Sequence, residues 1–108
     1  MKLNKTNVKR LLTRDKFRKY LASKQPDLSA GKCGNPTKCA IANYLTENLP
    51  LQQGDGVEVT TNYVYINRGV VFRVAKLQKW ATRFIKAYDE GGVTAKTFGT
   101  ALEILDGV

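Results

Sequence analysis

The sequence predicts an α+β fold: a small three-stranded antiparallel sheet with about four helices packed on one face of it, in a single domain. Three observations carry this. Residues 76–88, KLQKWATRFIKAY, repeat apolar residues at three- and four-residue steps, the spacing of one helix face. Residues 57–74 hold three short runs rich in β-branched and aromatic side chains, separated by turn chemistry. Finally, 108 residues with 43% hydrophobic and 25% charged content suit one domain that buries a core without metal or disulfide help.

In chain order, residues 1–24 form a basic helical segment. Val8, Leu11 and Leu12 cluster on one side of a helix, whereas Phe17, Tyr20 and Leu21 would fall on nearly the opposite side of the same helix. A break near Thr13 resolves the conflict: Thr13 caps a second helix and Asp15 sits in its first turn, where the helix dipole favours an acid. The alternative is one straight helix held between two partners, one of them in another molecule.

Residues 25–37, QPDLSAGKCGNPT, read as a loop on their two prolines and two glycines. Asn35 and Pro36 read as a helix start, and the helix carries Cys39, Ala40, Ile41, Ala42, Tyr44, Leu45 and Leu49 before Pro50 stops it. The rest of residues 38–108 supplies the meander and two further helices. Its strands run over 57–61, 63–66 and 70–74; Asn67, Arg68 and Gly69 form a hairpin loop, and a bulge is expected near Thr61 and Asn62. In the helix over 76–88, Leu77, Trp80, Ala81, Phe84, Ile85 and Tyr88 face a core made with Ile41, Leu45 and Val59 or Val71. Lys76, Lys79, Arg83 and Lys86 form a basic stripe on the other side. Gly91 and Gly92 stop this helix, Thr94 caps the last one, and Gly99 within it marks close packing.

Charge is the unusual property. There are 18 Lys and Arg against 9 Asp and Glu, a net +9. Residues 1–24 contribute nine cations and one acid, so the positive field belongs to the N-terminal end and residues 25–108 are nearly neutral. A polyanion partner is the leading expectation. The candidate contacts are Lys9, Arg10, Arg14, Lys16, Arg18 and Lys19, extended by Lys32 and Lys38 in the loop, together with the stripe of Lys76, Lys79, Arg83 and Lys86. Tyr63 and Tyr65 alternate with Val64 and Ile66 and could offer stacking rings on one strand face, although core packing is the expected use of at least one of them.

The absence of histidine removes Cys-His and Ser-His nucleophile pairs and the usual zinc donor sets. Asp55 and Glu58 lack a third acid or lysine to complete a nuclease-like set, and KCGNPTKC lacks phosphate-loop spacing. The expectation is therefore a non-enzymatic protein with no cofactor or metal. Cys39, beside Lys38 at a helix start, is expected as a buried core thiol, and neither it nor Cys33 as part of a disulfide framework. No apolar run reaches membrane-spanning length and no signal-peptide h-region is present, so the expected location is the cytoplasm, that of the host if phage-encoded.

The series Cys39-Ala40-Ile41-Ala42, Val57-Glu58-Val59, Trp80-Ala81-Thr82-Arg83-Phe84-Ile85 with Asp89, and Val93-Thr94-Ala95 resembles a group of small uncharacterised bacterial and phage proteins. Ala40 stands where those have proline, and Gln78 and Lys79 where they often have Pro-Glu. The resemblance covers roughly residues 17–105 and implies one fold unit and an accessory role on mobile elements; no activity comes with it. Two functional expectations follow. The first is a basic accessory protein that binds nucleic acid or a nucleoprotein complex mainly through phosphates. The second is a phage or mobile-element counter-defence protein, such as an anti-CRISPR inhibitor, docking on a host protein complex with an acidic surface.

Overall fold

The computed structural model describes residues 2–90 and 95–108. Its elements run α1 (Lys5–Leu11), α2 (Arg14–Ala22), β1 (Ser29–Lys32), α3 (Ala40–Asn48), β2 (Gly56–Val59), β3 (Tyr63–Asn67), β4 (Val71–Lys76), α4 (Lys79–Asp89), β5 (Ala95–Thr97) and α5 (Phe98–Asp106). The predicted meander is present as an antiparallel sheet in the order β2-β3-β4, and the class is α+β. A second, two-stranded sheet pairs β1 with β5, and the described residues hold five helices where about four were expected.

The break between the first two helices falls where their opposed apolar faces require it. Asn4 caps α1, its Oδ1 accepting from the Asn7 N–H at 2.9 Å, and the Thr13 hydroxyl caps α2 by accepting from the Lys16 N–H at 3.3 Å. Val8 and Leu12 then enter the core from one helix and Phe17 and Leu21 from the other.

Residues 25–37 are not all loop. Ser29–Lys32 pairs antiparallel with Ala95–Thr97, with a register shift between Ser29 and Gly31. Pro36 does not start the helix: Asn35 Oδ1 accepts from the N–H groups of Thr37 and Lys38, closing a side-chain turn, and α3 begins at Ala40 with Cys39 as its cap residue. The Pro36 carbonyl instead accepts from the Val59 N–H at 2.8 Å and ties this turn to β2.

The last helix also starts later than expected. Its cap is Thr97, whose hydroxyl accepts from the Thr100 N–H at 3.2 Å; Gly91, Gly92 and Thr94 lie outside the described residues. Gly99 does mark close packing, since a Cβ there would lie 3.2 Å from the Pro26 carbonyl oxygen. Gly69 supplies the positive φ of 82° that the β3–β4 hairpin needs, a conformation costly for residues bearing a Cβ.

Phe17, Ile41, Leu45, Val59, Val64, Ile66, Phe84 and Tyr88 are buried in one core. Trp80 packs at its edge, 5.9 Å from the Phe17 ring, and Val71 is exposed, so of the two valines Val59 is the one under the helices. Leu77 is buried but precedes α4. Tyr88 joins α4 to both strands of the small sheet, its hydroxyl lying 2.6 Å from the Gly31 carbonyl oxygen and 3.2 Å from that of Lys96. Burial pushes its phenol up to about 12.

Candidate nucleic-acid interface

The basic residues named from the sequence separate into three places. In the first, around α1 and α2, Lys9, Arg10, Lys16 and Lys19 are exposed. Arg14 and Arg18 are committed within the molecule. Arg14 donates to the Leu105 carbonyl at 2.8 Å, while Arg18 forms a two-pronged pair with Asp106 at 2.8 and 3.0 Å. These contacts fasten α2 to the C-terminal end of α5, where cations also meet the negative end of the helix dipole. Lys16 donates to the Arg10 carbonyl at 2.9 Å, bridging α1 and α2.

The second place is small. Lys32 and Lys38 are both exposed, and the Lys32 N–H donates to the Lys38 carbonyl at 2.9 Å. They meet each other across the turn that leads into α3.

The third place gathers the stripe. Lys76, Lys79, Arg83 and Lys86 line one recess of about 310 Å³, completed by Asn62, Leu77 and Thr82. Lys76 reaches it from the end of β4 rather than from the helix, because α4 begins only at Lys79. Thr82 is fixed by donating its hydroxyl proton to the Thr61 carbonyl at 2.6 Å, and the Leu77 N–H donates to the Asn62 carbonyl at 2.8 Å, locking the β2–β3 link against the start of α4. None of the residues lining this recess is acidic. Four cations on a short rigid frame repel one another, and an anion seated among them relieves that repulsion.

Next to the recess lies the outer face of the three-stranded sheet. Val64 and Ile66 are buried, so Tyr63 and Tyr65 turn outward; neither ring packs under the helices, contrary to the expectation for at least one of them. Their ring centroids are 6.2 Å apart. The bulge expected near Thr61 lies instead on the β3–β4 side, where Val64 pairs with Ala75 and Tyr65 with Arg73, leaving Val74 as the extra residue. Its effect is specific. Residues three apart on a regular strand point to opposite faces, but the extra residue brings Arg73 opposite Tyr65 and Lys76 opposite Tyr63 on the same face.

Arg73 is the functional candidate that sequence reasoning missed. Its guanidinium lies 4.1 Å from the Tyr63 ring centroid, in stacking position. Only the cross-strand register makes this visible. Asp55, considered above as half of a metal-binding pair with Glu58, accepts from Arg68 and from the Gln52 N–H, and these bonds hold its carboxyl below the usual range. Cys39 is buried, which raises its thiol, and Cys33 donates to the Tyr88 carbonyl at 3.2 Å; both thiols are free.

No helix among the described residues is long and apolar enough to cross a membrane. Compared with models of protein families, with curated proteins and with solved structures, the chain matches none.

Proposed function

We propose that this protein binds nucleic acid through phosphate contacts centred on the recess between β4 and α4. The observation that carries the reading is the convergence of Lys76, Lys79, Arg83 and Lys86 on one recess with no acid in its lining. Lys79 to Lys86 rises about 10 Å along the helix, the span of roughly three phosphates on one strand. Lys9, Arg10, Lys16 and Lys19 add a long-range positive field that speeds encounter, while Arg14 and Arg18 hold the fold together. The protein acts here as a binding module rather than an enzyme.

The test is a triple replacement, Lys79→Gln, Arg83→Gln and Lys86→Gln, with affinity for labelled DNA measured across a salt series. Phosphate contacts do not read bases, so binding to unrelated sequences should weaken alike. Loss of three contacts should flatten the slope of log K against log salt by roughly 2 to 3 units. An unchanged affinity and slope would overturn the proposal.

A second reading, a counter-defence inhibitor docking on a host protein complex, is favoured by a different observation. Val70, Val71 and Phe72 at the β3–β4 hairpin are 70%, 51% and 41% exposed, a run of exposed apolar side chains suited to a protein partner. Binding of that kind survives nuclease treatment and responds to Phe72→Ser rather than to the lysine replacements.

A further inference from the structure

We infer that the nucleic acid held at this recess is single-stranded, with its bases stacked on the outer face of the sheet; the inference rests on the phosphate-binding reading above. Lys76 belongs to both surfaces, lining the recess and standing opposite Tyr63 on the sheet face. A backbone gripped by α4 therefore has its bases within reach of β3. That face presents two stacking planes: the Tyr65 ring, set edge-to-face with Tyr63, and the exposed Arg73 guanidinium, which is itself layered on Tyr63. Arginine planes receive bases as aromatic rings do.

The charge across the face orients the strand. Glu58 stands opposite Tyr65 on the β2 side, and Arg73 and Lys76 stand opposite the two tyrosines on the β4 side. Potential thus rises from β2 to β4, which directs phosphates along β4 and bases over β3. A duplex cannot use this arrangement, because its base faces are already stacked on one another. The Val74 bulge, which puts Arg73 and Lys76 on one side, is what builds the platform.

The experiment compares fluorescence anisotropy of labelled dT12, rU12 and a 12-base-pair DNA duplex for wild type, Tyr65→Leu, Tyr65→Phe and the triple glutamine variant, with a thermal melt of each. Tyr65→Leu should weaken dT12 and rU12 binding about 5- to 100-fold and leave duplex binding and the salt slope unchanged, while Tyr65→Phe should bind as wild type. Equal behaviour of the leucine and phenylalanine variants toward dT12 and rU12, or equal losses on single strands and duplex, would overturn the single-strand inference. If Tyr65→Leu does not fold, tight dT12 binding no stronger than duplex binding by wild type overturns it instead. The triple variant separates the two readings: if it alone weakens binding, the phosphate recess stands and base stacking falls, and if it changes nothing, both fall.

Discussion

A Cβ added at Gly31 would lie 2.6 Å from the Ala40 amide nitrogen and 2.7 Å from both the Cys39 carbonyl carbon and the Lys38 carbonyl oxygen. All three are backbone atoms, so no rotamer change relieves the clash. Gly31→Ala must move β1 away from the start of α3, and overpacking of this kind costs about 1 to 3 kcal/mol. In a domain of this size each kcal/mol lowers the melting temperature by roughly 4 to 8 °C. A melt within a degree of wild type would show that the two segments do not approach as described. Gly31 was legible only as loop glycine, since nothing in GKCGNP announces that a helix start presses on it. The tyrosines show the same limit. Alternation separates Tyr63 and Tyr65 from Val64 and Ile66, but both sets are apolar, and only burial in the shared core decides that the smaller aliphatic pair goes inside.

Among the elements, those with a strong local period were legible and those sustained by distant partners were not. The helix centred on Phe84, the Thr13 break and the three-stranded meander follow from spacing alone. SAGK and AKT have neither alternation nor β-branched runs, and they become strands because residues some 65 positions apart meet. Asn35-Pro36 imitates a helix cap because the same asparagine side chain that caps helices also closes turns. The contact of α2 with α5 carries a pH signature. Asp106 is held below the usual carboxylate range by its hydrogen bonds with Arg18, and Asp55 likewise by Arg68. A group with a depressed folded pKa stabilises above its unfolded value, near 3.9, and that stabilisation disappears as pH falls through the folded value. Melting temperature should therefore drop on acidification below about pH 4. Asp106→Asn should remove part of that drop, and an identical pH profile in the variant would refute the assignment.

At the scale of the molecule, Trp80 is the single tryptophan, and it touches Phe17 of α2 from α4. Because one core joins α1 through α5 with both sheets, its fluorescence should report the whole domain. Urea unfolding followed by Trp80 emission and by far-UV circular dichroism should give coincident transitions; separated midpoints would mean that the α4 region and the remainder unfold independently. The pairing of β1 with β5 has a further consequence for how the protein is made. A growing chain emerges from the ribosome N-terminus first, so α2 is exposed long before the α5 carbonyl and carboxylate that receive Arg14 and Arg18 exist. Until then two arginines without their α5 partners and an unpaired strand remain open to chaperones and nascent neighbours, and the fold closes only when α5 arrives.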